Sequence, residues 1–128
     1  MKWIPILMAL LLLSGCGATQ KTPGYRQVGM EEAMAMMKTE SDYVILDVRR
    51  PDEFAEKHIP GAVNVPNETI GSAEIPELPD KDQLILVYCR SGNRSKKAAR
   101  ILVENGYEVM ELGSGFNGWA SSGRDIER

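Results

Sequence analysis

The stretch LILVYCRSGNRSKKAARIL, residues 84–102, places a cysteine at the point where an apolar run ends. The run is typical of a buried strand, and the amphipathic residues after it are typical of a helix. The loop between the two would point successive backbone N–H groups, and the positive end of the helix dipole, at the Cys89 thiol. Because such groups favour a thiolate over a thiol, the pattern predicts a nucleophilic cysteine beside an anion site.

The loop itself carries residue types that suit an anion. Arg90 and Arg94 add positive charge, Gly92 permits a tight turn, and Ser95 is placed to cap the helix, which we expect to begin near it. The predicted substrate-binding residues are Arg90, Ser91, Gly92, Asn93, Arg94 and Ser95. The alternative is a buried, inert cysteine at a strand end. In that case the charged, glycine and serine residues of the loop would occur there by coincidence.

The N-terminal sequence MKWIPILMALLLLSGC has one lysine, an apolar run and then small residues, which is the layout of a secretory signal. Its end, LSGC, resembles the lipobox of bacterial lipoproteins. We therefore expect a signal peptide over residues 1–15, lipidation at Cys16, a tether over 16–24, and a domain over 25–128 that is anchored to a bacterial membrane outside the cytoplasm. The alternatives are an ordinary cleaved signal or an uncleaved anchor. With lipid on Cys16, Cys89 becomes the free thiol of a two-cysteine chain.

Helical and strand patterns alternate along the rest of the chain, as they do in parallel α/β domains. The apolar runs YVILDV, QLILVYC and YEVMEL predict strands, with QLILVYC in the centre of the sheet. Residues 28–40 and 51–58 favour helices, and Met30, Met34 and Met37 are predicted to face the core. The predicted fold is therefore α/β, with a central parallel sheet of about five strands and helices on both faces.

Composition limits the choice of function. The chain has 128 residues, enough for one domain and not for two, and its formal net charge of −3 argues against binding of nucleic acid. We also expect a monomer. One histidine and one available cysteine are too few for a zinc site, and we expect neither a metal nor a cofactor.

Three motifs in order make the chain resemble the rhodanese family of single-domain sulfurtransferases. They are DVRRPDEFAEKHIPGAVNVP, CRSGNRS and GSGFNGWASSG. The resemblance implies a rhodanese-like fold and a persulfide on Cys89. It also implies transfer of sulfane sulfur from thiosulfate or a similar donor to cyanide or a thiol, with Asp47 and Arg49 supporting the loop from a neighbouring strand.

Other functions remain open from the sequence. Related folds use a cysteine–arginine loop for phosphatase or arsenate reductase chemistry, but four residues separate Cys89 from Arg94 here, one fewer than in that loop. A sulfur carrier or a binding module in a larger complex is a further alternative. A cysteine–histidine dyad with His58 is disfavoured, because no third orienting group is evident.

Overall fold

The computed structural model describes residues 24–128, and the predicted signal peptide, Cys16 and all of the tether except Gly24 lie outside this range. Strands and helices alternate along the described chain. In order they are β1 (Arg26–Val28), α1 (Met30–Thr39), β2 (Tyr43–Asp47), α2 (Pro51–Glu56), β3 (Val63–Asn64), a short 3₁₀ helix (Asn67–Thr69), β4 (Leu84–Tyr88), α3 (Asn93–Glu104), β5 (Glu108–Leu112) and α4 (Gly115–Ser121). Within residues 24–128, no helix is both long and apolar enough to cross a bilayer.

The strands form a five-stranded sheet in the order β1-β5-β4-β2-β3. Every neighbouring pair is parallel, so the carboxyl ends of all the strands meet at one edge. The predicted α/β class and the central place of the QLILVYC strand are both confirmed. Since β4 leads directly into Cys89, the sheet presents this residue at the middle of its carboxyl edge, where ligands bind in open α/β folds.

Helices cover both faces of the sheet, as predicted. On one face, Ala98, Ala99 and Leu102 of α3 pack against the strands. On the other face, Ala33 and Met36 of α1 are buried with Phe116 and Trp119, which belong to α4. A sheet buried on both faces explains why β4, the central strand, is a continuous apolar run and does not alternate.

The apolar face of α1 differs from the predicted one. Met36 is 6% exposed and Ala33 is fully buried, so these two residues form the middle of the helix face that packs on the core. Met30, Met34 and Met37 pack around the same cluster but are only partly buried. The long, flexible methionine side chains fill the margin of this layer.

Strand β1 is an element that the sequence patterns do not predict. It spans three residues, Arg26–Val28, and pairs with β5 at the edge of the sheet. Only Val28 of this strand is buried, so the segment has no apolar run to mark it. Its place is determined by long-range pairing and not by local preference.

Candidate active site

Cys89 lies immediately after β4 and is 1% exposed. The chain then turns through residues 90–92 and enters α3 at Asn93. The carbonyl of Cys89 accepts a hydrogen bond from the N–H of Phe116 at 2.7 Å, so the start of α4 closes over the same turn. Gly115 permits this approach, because a Cβ there would stand 2.5 Å from the carbonyl oxygen of Arg90. The thiol is therefore held among the beginnings of two helices.

Backbone amides surround the sulfur. The N–H of Gly92 donates to Sγ of Cys89 at 3.1 Å. Burial opposes ionisation of the thiol, but the hydrogen bond with the Ser95 side chain and those from the N–H groups of Ser95, Gly92 and Ser91 outweigh it and lower the pKa of Cys89 below its ordinary value. The loop thus favours the nucleophilic form of the cysteine.

Gly92 is required in this loop for two reasons. Its φ of +103° lies in the left-handed region, and a Cβ on it would come within 2.7 Å of the carbonyl oxygen of Gly113. Gly113 follows β5, which is the strand next to β4 in the sheet. The turn that carries the amides is thereby packed directly against the neighbouring strand end.

Replacing Gly92 with alanine is expected to destabilise the protein and to slow reaction of the thiol. The left-handed conformation alone costs a non-glycine residue about 1–2 kcal/mol, and relief of the clash would move the N–H away from Sγ. Urea unfolding gives the free energy of unfolding, and alkylation by iodoacetamide gives the reactivity of Cys89. Gly71→Ala is the matched control, since a Cβ at that position would meet no atom within 4 Å beyond its chain neighbours and its φ is not positive. Unchanged stability and thiol reactivity in Gly92→Ala would contradict this account.

Ser95 does not cap α3, contrary to the prediction. The N-cap position is Gly92, and Ser95 is the third residue of a helix that begins at Asn93. Its side chain is fully buried and lies against the thiol, with Oγ 3.4 Å from Sγ of Cys89. The same hydroxyl donates to Oε2 of Glu111 at 2.5 Å.

The two loop arginines are placed differently from each other. Arg94 donates to Oε1 of Glu53 at 3.1 Å, and this ion pair is only partly exposed. Burial opposes ionisation of Glu53, but Arg94 and the N–H of Arg50 hold its pKa below the ordinary value. Arg94 is therefore directed to α2 and not to the sulfur, whereas Arg90 is exposed at the mouth of a cavity.

That cavity has a volume of about 450 Å³ and lies beside the loop. Basic and acidic side chains both line it: Arg49, Arg50, Lys57 and Arg90 on the one hand, and Asp52, Glu53 and Glu56 on the other. Phe116 and Asn117 contribute from α4. Arg49 and Arg50 are paired with Asp47 and Asp52, whereas within residues 24–128 no carboxylate lies within 4.0 Å of Arg90 or Lys57, so these two cations can attract a small anion.

Asp47 ends β2 and Arg49 follows it two residues later, so both lie beside β4 at the carboxyl edge of the sheet. Both are buried, and Arg49 donates to Oδ2 of Asp47 at 2.8 Å and to the carbonyl of Lys57 at 2.7 Å. The guanidinium carbon lies 4.5 Å from the ring centre of Phe116. Tyr88 donates from its hydroxyl to Asp47 at 2.7 Å, and burial beside this carboxylate raises the pKa of Tyr88, which keeps it a donor. The network ties the residue before Cys89 to the wall of the cavity.

His58 does not contact the thiol. Its ring stacks on Phe54 at 3.7 Å, and Nδ1 lies 2.8 Å from the Phe54 carbonyl oxygen. Its Nε2 faces Oε1 of Glu127 at 3.6 Å. Within residues 24–128, no group of three or more His, Cys, Asp or Glu side chains is arranged to hold a metal ion.

The family profile of the rhodanese-like domain matches residues 30–122. The chain belongs to the rhodanese-like family. Two relatives named thiosulfate sulfurtransferase are GlpE of Coxiella burnetii, 38% identical over 74% of this chain and 87% of its own length, and PspE of Escherichia coli K12, 36% identical over 56% and 68%. A solved rhodanese-related protein from Thermoplasma volcanium superposes with a TM-score of 0.69 at 26% identity, over 80% of this chain and 98% of its own.

These relatives support sulfurtransferase activity for this member of the rhodanese-like family. The assignment of Cys89 as nucleophile and of Arg90, Ser91, Gly92, Asn93, Arg94 and Ser95 as substrate-binding residues stays a prediction. The structure brings Cys89 together with Gly92 and Ser95, while Ser91 and Asn93 face solvent.

Sequence reasoning missed Glu111, which is fully buried against Ser95. Its signal was available: Glu111 lies two residues after Val109 in a strand, so the two side chains point to the same face of the sheet. A carboxylate on a buried face requires partners, and this is what makes it a candidate for function.

Proposed function

We propose that this protein is a sulfurtransferase that carries sulfane sulfur as a persulfide on Cys89. The donor is thiosulfate or a similar compound, and the acceptor is a thiophile such as cyanide or a thiol. The observation that carries the proposal is the buried sulfur of Cys89, which accepts the Gly92 N–H at 3.1 Å inside the turn between β4 and α3.

The reaction is a double displacement. The Cys89 thiolate attacks the outer sulfur of thiosulfate, a new S–S bond forms, and the S–S bond of thiosulfate breaks so that sulfite leaves with the electron pair. The acceptor then attacks the outer sulfur of the persulfide, and the Cys89 thiolate is released. Covalent catalysis in two half-reactions should give ping-pong kinetics.

The loop presents hydrogen-bond donors to each anionic stage of the reaction. The N–H groups of Ser91, Gly92 and Ser95 that lower the pKa of Cys89 are also placed to stabilise a persulfide anion. Arg90, exposed at the cavity, supplies charge that attracts a dianionic donor.

Mass spectrometry of the purified protein after thiosulfate treatment tests the proposal. We expect one added sulfur on the peptide that contains Cys89, and its removal by cyanide with release of thiocyanate. Peptide mapping separates Cys89 from Cys16. Failure to find sulfur on Cys89, or sulfur that cyanide does not remove, would contradict the mechanism.

We also propose that the domain is attached to a bacterial membrane on its extracytoplasmic side through lipid on Cys16. The support for this is the sequence LSGC after an apolar run, followed by a small, polar tether. In that setting the donor and acceptor would be extracytoplasmic sulfur compounds.

Replacing Cys16 with alanine is expected to prevent attachment of lipid, because the acylated thiol is lost. Cells given a radiolabelled fatty acid should label the unmodified protein and not Cys16→Ala, whose precursor should accumulate or be processed elsewhere. Ser14→Ala, which keeps the thiol, is the control and should remain labelled. Equal labelling of the unmodified protein and Cys16→Ala would show that the lipoprotein interpretation is wrong.

A further inference from the structure

A fully buried carboxylate stands behind the catalytic loop. Glu111 lies on β5, and its Oε1 accepts from Nε2 of Gln27 at 2.8 Å. Its Oε2 accepts from the Ser95 hydroxyl at 2.5 Å. Within residues 24–128, no nitrogen of a lysine, arginine or histidine lies within 4.0 Å of this carboxylate. A buried carboxylate with two neutral partners and no cation is costly, and such groups are common at functional sites.

Ser95 connects this carboxylate to the nucleophile. The Cys89 thiol donates to Oγ of Ser95 at 3.4 Å, and all three residues are at most 1% exposed. A serine hydroxyl has a single hydrogen. When Ser95 donates it to Glu111, it has none left for a Cys89 thiolate.

Two arrangements of the protons give Cys89, Ser95 and Glu111 a hydrogen bond between each neighbouring pair. In the first, the thiol donates to Ser95 and Ser95 donates to the Glu111 carboxylate. In the second, protonated Glu111 donates to Ser95 and Ser95 donates to the thiolate. They differ by one proton shift along each of the two hydrogen bonds, and the heavy atoms keep their places.

We propose that Glu111 is a positioning residue which, through Ser95, holds the proton that Cys89 gives up on becoming nucleophilic. The S–H proton moves to Oγ of Ser95, the Ser95 proton moves to Oε2 of Glu111, and the electron pair stays on sulfur. The three groups therefore carry one negative charge between them throughout the reaction.

Charge and burial support a single shared anion. The two hydrogen bonds place Sγ and Oε2 within about 6 Å of each other by the sum of their lengths, and two anions at that separation in a buried site repel strongly. The neighbouring elements do not relieve this repulsion by direct contact. Within residues 24–128 their charged and titratable groups are bonded elsewhere or exposed. Asp47 is bonded to Arg49 and Tyr88, Glu53 to Arg94, and Tyr107 to the carbonyl of Leu78. The exposed groups are Arg90 at the cavity and Arg26, Lys96, Lys97, Arg100, Glu104 and Glu108 on β1, α3 and β5.

The inference deepens the proposed function and rests on Cys89 as its nucleophile. A persulfide on Cys89 is also an anion, so Glu111 stays protonated while sulfur is bound and returns the proton when the thiol re-forms. Donor and acceptor can then be exchanged without uptake or release of a proton by the buried site.

The test is the pH dependence of Cys89 alkylation by iodoacetamide, a neutral reagent, followed on the Cys89 peptide by mass spectrometry. Two interacting groups titrate as a pair. We therefore expect two inflections in the rate profile of the unmodified protein, the first from loss of one shared proton and the second from loss of the other.

Glu111→Gln should reduce the profile to a single inflection. The glutamine amide can still accept from Gln27 and donate to Ser95, so it copies protonated Glu111 permanently. Its inflection should lie about one pH unit or more below the second inflection of the unmodified protein, as expected for coupled sites. Glu108→Gln is the matched control, since Glu108 is exposed on the same strand, and it should keep two inflections.

A single inflection in the unmodified protein, or the same profile in Glu111→Gln and the unmodified protein, would overturn the proposal. The profile of the unmodified protein decides by itself if Glu111→Gln does not fold. Because alkylation needs no sulfur donor, it distinguishes failure of this inference from failure of the proposed sulfur transfer.

Discussion

Replacing Cys89 with serine is expected to abolish transfer of sulfur from thiosulfate to cyanide and to leave the fold intact. Serine is nearly isosteric with cysteine, and its hydroxyl can accept the same N–H of Gly92. At neutral pH, however, a serine hydroxyl stays protonated, and within residues 24–128 no histidine or lysine is hydrogen-bonded to position 89 as a base. We expect kcat/KM to fall by at least roughly three orders of magnitude, the range seen when a covalent nucleophile is removed. Thiocyanate formation is the measurement.

Two controls make this result specific to the nucleophile. Circular dichroism and urea unfolding should show that Cys89→Ser remains folded with near-normal stability, and Cys16→Ser should retain full activity in detergent. Activity retained in Cys89→Ser would mean that another residue carries the sulfur and that the N–H groups around Cys89 do not serve this reaction.

The fold was predictable because its signals are local. The apolar runs of β2, β4 and β5 are separated by helical segments, and parallel pairing follows from that order. Strand β1 was not predictable, because a three-residue edge strand with one buried side chain has no periodicity to detect. Its position depends on pairing with β5, more than 80 residues away in the chain.

The candidate site shows the same division between local and long-range information. The backbone N–H groups around the sulfur result from a strand, a short loop and a helix in succession, so the sequence around Cys89 was sufficient to predict them. The destination of Arg94 depends on Glu53, 41 residues earlier. The partner of Ser95 is Glu111 on the next strand. Neither contact can be deduced from the loop itself. The sequence predicted two arginines beside the sulfur, whereas the structure directs Arg94 to Glu53 and places the buried carboxylate of Glu111 behind Ser95.

The unmodified protein is expected to transfer sulfur from thiosulfate and to show negligible hydrolysis of an aryl phosphate. Four residues separate Cys89 from Arg94, which makes a smaller ring of amides than the phosphatase loop that it resembles. A phosphoryl group brings three oxygens that each need donors, whereas a persulfide brings one sulfur atom. Arg94, the arginine of the loop that would otherwise be available to bind a phosphate, forms an ion pair with Oε1 of Glu53 at 3.1 Å. Parallel assays of thiocyanate and of aryl alcohol release measure the two activities.

Lengthening the loop tests whether its size sets this preference. A glycine inserted between Gly92 and Arg94 should widen the ring, move the Gly92 N–H from its 3.1 Å contact with Sγ, and depress sulfur transfer by about tenfold or more. The same change gives an oxyanion such as phosphate or arsenate room to bind, which inhibition of alkylation at Cys89 would detect. A glycine inserted beside Gly71, in an exposed surface loop, is the matched control and should alter neither property. Comparable turnover of aryl phosphate and thiosulfate by the unmodified protein would contradict the proposed preference for sulfur transfer. A loop that accepts both groups equally does not discriminate between them by size.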